Sequence, residues 1–233
     1  MPSSKRTPPS PNADRSLADR EPAGVSPLTV NRLSVYLRSL RQLEEHGLRK
    51  VSSQQLEHRF HLSSTQIRKD LANFGEFGTR GVGYDVAELA DGLATLLGLD
   101  SVHPVVLVGM GNLGTALARF PAFNSGPFRV VAGFDTDAAK IGRRVGSIVV
   151  EDWRNLVRVA DETRAEIAVL AVPADSAATA AATIARAGIA AILNFAPVSL
   201  PSLPNCRIKN VDLRIQLEEL SFFLRRRRES SPR

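Results

Sequence analysis

The sequence predicts an α/β protein of two modules, a small helical one followed by a larger one built on a mostly parallel sheet covered by helices on both faces. Three observations carry this. Apolar residues recur at helical spacing between residues 29 and 74. Residues 75–84 then place aromatic and β-branched side chains between glycines, which reads as a tight hairpin. From Pro104 onward, short apolar runs alternate with helical segments, the pattern of a parallel sheet buried on both sides.

The 233 residues, 43 % hydrophobic and 23 % charged, suit a soluble protein of one large or two small domains. No apolar run approaches the roughly 18 residues a membrane span needs, so no membrane partner is expected. Residues 1–27, with Pro2, Pro8, Pro9, Pro11, Pro22 and Pro27, lack the apolar stretch of a secretion signal and read as a disordered tail. Cys206 is the only cysteine, which excludes an internal disulfide and a cysteine-based metal site and makes the cytoplasm the expected compartment. No metal ligand set is expected. Residues 28–83 hold nine Lys/Arg against five Asp/Glu, residues 84–224 twelve against fifteen, and residues 225–233 five against one. Basic charge therefore brackets an acidic middle, a weak pointer to nucleic acid.

The first helix is expected from Leu33, Leu37 and Leu40, flanked by Tyr36 and Leu43, with Gly47 as its stop. Ser52 and Gln55 form a capping-box pattern before Leu56 and Phe60, and Ser63 and Gln66 repeat it before Ile67, Leu71 and Phe74. Two short helices joined this tightly make a helix-turn-helix over about 34–73. With the hairpin as a wing, residues 28–84 read as a winged-helix domain. Val86, Leu89, Leu93, Leu96 and Leu97 mark one more amphipathic helix, expected to link the modules over 85–100. Strands are expected at 104–108, 129–134, 167–172, 189–195 and 207–211, with helices at 113–119 and 176–187, all within a domain spanning 101–212. A last helix over 213–228 carries Ile215, Leu217, Leu220, Phe223 and Leu224, and residues 229–233 are a tail.

Gly109-Met110-Gly111-Asn112-Leu113-Gly114 directly follows the strand Val105-Val106-Leu107-Val108 and opens a helix. In that context G-x-G-x-x-G is a dinucleotide turn of a doubly wound, Rossmann-type sheet. Gly109 permits the turn, Gly111 lets the backbone approach a pyrophosphate at the helix N-terminus, and Gly114 allows close packing. Asp135 ends the next strand, 21 residues after Gly114. A carboxylate there accepts the ribose hydroxyls and opposes a 2′-phosphate, which favours NAD(H); Lys140, Arg143 and Arg144 nearby weaken that preference. Val172-Pro173 and Phe195-Ala196-Pro197 end later strands and are expected to enclose the nicotinamide in an apolar, uncharged setting, which favours the neutral dihydronicotinamide over the cation.

Hydride transfer needs a proton donor beside the nicotinamide. His46, His58, His61 and His103 all precede the dinucleotide turn, as do Tyr36 and Tyr84, and a separate substrate domain is missing. A sensing role is therefore expected rather than catalysis. The rival readings are an NAD-dependent dehydrogenase with an atypical site and a coenzyme A-binding scaffold without DNA affinity.

On the second helix of the helix-turn-helix, Ile67, Leu71 and Phe74 share the core face, Thr65, Lys69 and Asn73 lie opposite, and Gln66 and Arg68 flank them. A donor-rich face suits a major groove, and Arg80 at the hairpin tip could reach the adjacent minor groove or backbone.

These residues resemble the Rex family of redox-sensing transcriptional repressors. The matching segments are Ser64-Thr65-Gln66-Ile67-Arg68-Lys69-Asp70-Leu71, Phe74-Gly75, Gly81-Val82-Gly83-Tyr84, the glycine turn, Phe134-Asp135, Lys140-Ile141-Gly142, Val172-Pro173-Ala174, Ile192 to Pro197 and Asn210-Val211-Asp212-Leu213, in one register over about 28–224. The resemblance implies a homodimer on palindromic double-stranded operator DNA, with Ser64 among the DNA-facing residues and NADH and NAD+ as sensed ligands. It implies a C-terminal helix exchanged between subunits, release of DNA by NADH, and an ion pair of Arg38 with Asp212 coupling the domains. Phe120 stands where many relatives have tyrosine. The run Arg225–Arg228 lies outside the resemblance.

Overall fold

The computed structural model describes residues 25–60, 63–73 and 83–229, which form two compact units, the chain passing from one to the other between Val102 and His103. The expected hairpin, Phe74 and Arg80 lie outside the described residues, as does the tail up to residue 24.

In the first unit, α1 (Pro27–Glu45) starts at Ser26, whose hydroxyl accepts from the Thr29 N–H at 3.1 Å, with Pro27 in the position where a missing N–H costs nothing. It ends before Gly47, which takes the left-handed conformation at φ +77°. α2 (Ser53–Phe60) opens on the expected reciprocal box: Gln55 N–H donates to Ser52 Oγ at 3.2 Å and Ser52 N–H to Gln55 Oε1 at 2.8 Å. α3 (Ser64–Ala72) follows, and α4 (Val86–Leu96) is capped by Asp85. Leu33, Tyr36, Leu40, Leu56, Ile67, Leu89 and Leu93 make one core. α4 is thus part of this unit and not a bare connector: it packs along α1, and Arg41 reaches Asp91 at 2.7 Å. An unforeseen two-residue strand β1 (Lys50–Val51) pairs antiparallel with β2 (Tyr84–Asp85), which anchors the return from the glycine-rich segment.

The second unit contains β3 (His103–Val108), α5 (Asn112–Arg119), β4 (Phe128–Asp135), β5 (Arg144–Val145), β6 (Ile148–Asp152), α6 (Leu156–Thr163), β7 (Ile167–Leu170), α7 (Ala174–Arg186), β8 (Ala191–Asn194), β9 (Arg207–Asn210) and α8 (Leu213–Glu229). The sheet order is β5-β6-β4-β3-β7-β8-β9, parallel throughout except for β5. Taken in chain order without β5, this is third, second, first, fourth, fifth, sixth, the doubly wound order, with its switch point between β3 and β7. β3 shows why both faces must be covered: Val106 and Val108 enter the core under α6 and α7, and Val105 and Leu107 enter the one beside α5. The expected strand 167–172 stops at Leu170, which frees Ala171 and Val172 to line the cleft described below. In α8, by contrast, Leu213, Ile215, Leu217, Leu220, Phe222, Phe223 and Leu224 are all more than half exposed. Among the described residues, no helix is long and apolar enough to cross a membrane.

Candidate dinucleotide cleft and DNA-facing helix

The three turn glycines do three different things. Gly109 has φ +92°, and a Cβ there would lie 2.4 Å from the Ala171 carbonyl oxygen. A Cβ on Gly114 would lie 2.0 Å from the Gly109 carbonyl oxygen, so only glycine lets α5 sit this close to the turn. A Cβ on Gly111 would meet nothing within 4 Å, and no side chain caps α5 at that residue. The first-turn N–H groups of α5, Asn112 and Leu113 included, therefore face a space in which an anion fits, with the helix dipole favouring negative charge. Met110 plays a structural part: its side chain is buried beneath Gly133, and its N–H donates to Asp135 Oδ2 at 2.9 Å.

Asp135 also accepts from Lys140 Nζ at 2.9 Å and from the Asp137 N–H at 2.9 Å. Burial alone would raise its pKa, but these donors outweigh it and hold the carboxyl below its ordinary value, so it is charged. A cavity of about 630 Å³ opens between the ends of β3, β4 and β7 and is lined by Gly109, Gly111, Asp135, Lys140, Val172 and Pro173, with Trp153 at its side. Trp153 was missed because the turn carrying it follows β6, which the apolar pattern did not reveal; being the chain's single tryptophan was the available signal.

The two loops expected to act together follow the neighbouring strands β7 and β8, with the Phe195 N–H donating to the Leu170 carbonyl at 2.8 Å, but they line different hollows. Val172-Pro173 shares the cavity of Asp135, while Phe195-Ala196-Pro197 lines a separate hollow of about 320 Å³ with Leu113. The second hollow is not uncharged as expected, since Asp212 and Arg214 line it too. Asp212 accepts from the Arg214 N–H at 2.9 Å at the start of α8. Arg38 is exposed on α1, in the other unit. Phe120 is exposed at the end of α5, its ring 6.2 Å from that of Phe123.

On α3, Ser63 Oγ accepts from the Gln66 N–H at 3.2 Å, but the box is not reciprocal. The Gln66 amide turns inward and donates to Asp70 Oδ1 at 2.8 Å, so it is less available at the surface than its position alone implied. Arg68 donates to Ser53 Oγ at 3.0 Å and to Thr65 Oγ1 at 3.2 Å. Thr65, Lys69 and Asn73 are exposed, and Ser64 is half-buried at the helix start. Sequence reasoning did not single out Asp70, which is 2 % exposed and accepts from Arg32 Nε at 2.6 Å, Arg32 Nη2 at 2.8 Å and Tyr36 Oη at 2.9 Å. Its position three residues after Ile67, on the apolar face, was the signal: an acid there needs donors. Burial would raise the Asp70 pKa, yet Arg32, Gln66 and Tyr36 together hold it below its ordinary value, and the pKa of the buried Tyr36 hydroxyl is pushed up in turn.

A helix-turn-helix unit joined in one chain to an open dinucleotide turn defines a class, the DNA-binding regulators that respond to a nucleotide ligand. Two family models match, the N-terminus of putative DNA-binding proteins over residues 24–72 and the CoA binding domain over residues 100–198. The redox-sensing transcriptional repressor Rex of Chloroflexus aggregans is 43 % identical over 202 residues, which cover 87 % of this chain and 95 % of that one. Among solved structures, RSP, a Rex-family repressor, in complex with β-NAD+ and operator DNA aligns with a TM-score of 0.83 and 33 % identity over 88 % of this chain and 94 % of that one. The complex of RSP with β-NADH gives 0.81 and 32 % over 88 % and 96 %. The chain belongs to the Rex family of redox-sensing transcriptional repressors, a family of regulators and not of enzymes.

Proposed function

We propose that this chain represses transcription by holding operator DNA through α3 and lets go when NADH fills the cleft of the second unit. The observation that carries the ligand half is the open N-terminus of α5 beside a charged carboxylate in one cavity. The pyrophosphate lies on the α5 N-terminus at Gly111, Asn112 and Leu113, and the adenosine ribose hydroxyls donate to Asp135. Val172 and Pro173, in the Asp135 cavity, then flank the adenosine, and the dinucleotide's other half points to Leu113, Phe195, Ala196 and Pro197. Asp212 lines that second hollow, so the redox state of the nicotinamide is felt beside the residue proposed to pair with Arg38. Asp212→Ala should blunt operator release while leaving NADH affinity nearly intact; an unchanged release curve would contradict the coupling.

Thr65, Lys69 and Asn73 form the DNA-facing stripe, Ser64 and Arg68 extend it, Gln66 contributes through the part of its amide that Asp70 leaves free, and Arg80 contacts the neighbouring minor groove or backbone. The protein acts in the cytoplasm as a homodimer on a palindromic operator; the exposed apolar side chains of α8 need a cover, which an exchange of α8 with a second copy supplies. The test is fluorescence anisotropy of a labelled palindromic operator bound by the full chain. NADH should release it, with NAD+ far less effective. Operator binding indifferent to both nucleotides would overturn the proposal.

A further inference from the structure

A third hollow of about 590 Å³ adjoins the dinucleotide cleft, shares Gly111 and Lys140 with it, and runs between α5 and the β5–β6 hairpin. Arg119 enters from the last turn of α5, Arg143 from the loop before β5 and Arg144 from β5 itself, and no acidic residue lines the space. The hairpin is held in place at Gly146, where a Cβ would lie 3.0 Å from the Ala118 carbonyl oxygen. Asn112 and Thr115 add neutral donors. Lys140 is already engaged by Asp135 at 2.9 Å and Asp137 at 3.8 Å. Arg119, Arg143 and Arg144 make no ion pair with any described carboxylate, whereas the exposed Arg154, Arg158 and Arg214 each hold one within 3 Å, at 2.6, 2.7 and 2.9 Å. Three like charges around one hollow repel, and a dianion with several acceptor oxygens relieves that repulsion while matching the guanidinium forks.

We propose that this hollow is a phosphate-monoester subsite beside the dinucleotide cleft, held by Arg119, Arg143 and Arg144. The hollow is larger than one phosphate, so the group arrives either as free phosphate or carried on the dinucleotide's adenosine ribose. Either source brings two negative charges against guanidiniums that otherwise lack a counter-charge.

The experiment uses the full chain in phosphate-free buffer at constant ionic strength, beside Arg119→Ala/Arg144→Ala, whose altered residues do not line the dinucleotide cavity. Inorganic phosphate is titrated by calorimetry; NADH and NADPH are titrated by quenching of Trp153. Saturable phosphate binding at one site per chain, weakened about tenfold or more in the double variant, supports a free anion. NADPH binding weakened about tenfold while NADH binding is unchanged supports the ribose-borne source. Arg119→Lys/Arg144→Lys should restore part of either effect, which separates charge from folding. If neither phosphate nor NADPH distinguishes wild type from the alanine variant, the proposal is overturned. Failure of NADH to bind the wild type would instead sink the dinucleotide reading and leave the phosphate result standing.

Discussion

The N-termini of α3 and α5 invite comparison, since both open short helices on which function is proposed to rest. α3 starts on Ser63, whose side chain accepts from a first-turn N–H, and presents a side-chain face, whereas α5 starts on Gly111, which has no side chain to cap it, and presents its backbone. A helix meant to lie in a groove is better off stable and capped, with Thr65, Lys69 and Asn73 turned outward. A helix meant to receive a pyrophosphate must keep its first N–H groups unfilled. The same contrast holds for the carboxylates: Asp70 is closed in by four donor atoms of its own unit, while Asp135 keeps one edge on a cavity.

The largest expected effect sharpens the α5 side. Gly114→Ala places a Cβ against the Gly109 carbonyl with no flexible atom to yield, so the second unit should lose roughly 3 kcal/mol or more in a thermal melt together with its NADH binding. Gly111→Ala, whose Cβ enters open space, should leave that melt unchanged and weaken NADH by about tenfold; equal melting losses in the two variants would break the distinction. Asp70→Asn should cost the first unit about 2–4 kcal/mol, since Arg32 and Tyr36 lose their shared acceptor. Because the folded Asp70 carboxyl titrates below its ordinary value of 3.8, its contribution is complete above that pH and is lost as pH falls through the lowered value. Acid melts of the wild type should therefore steepen below about pH 3.8, and Asp70→Asn should flatten that limb. Asp135→Asn should weaken NADH by about tenfold with little change in operator affinity, checked by equilibrium titration. The smallest effect belongs to Ser63: Ser63→Ala should cost about 1 kcal/mol in the melt of the first unit and weaken operator binding only as far as α3 frays.

How much of this was legible follows from the range of the forces involved. The glycine turn, the caps at Ser52 and Ser63 and the alternating apolar runs are local patterns, and the structure returns them nearly in place. β1, β5 and β6 were not visible because short strands are defined by partners far along the chain: Lys50 and Val51 mean little until Tyr84 and Asp85 arrive. The inward turn of Gln66 follows from Asp70, whose burial depends on Arg32 and Tyr36 more than thirty residues away. Likewise, strand ends identified Val172 and Phe195 as cleft residues but could not say that they line different hollows.

Trp153, the single tryptophan, lines the cavity of Asp135, so its emission can be followed in the same cuvette as the anisotropy of a labelled operator. NADH absorbs where tryptophan emits, and NAD+ does not. Trp153 quenching and operator release should rise together along one NADH titration and half-saturate at the same concentration. Release of the operator without quenching, or full quenching with the operator still bound, would contradict the claim that ligand in this cleft controls the DNA-facing helix.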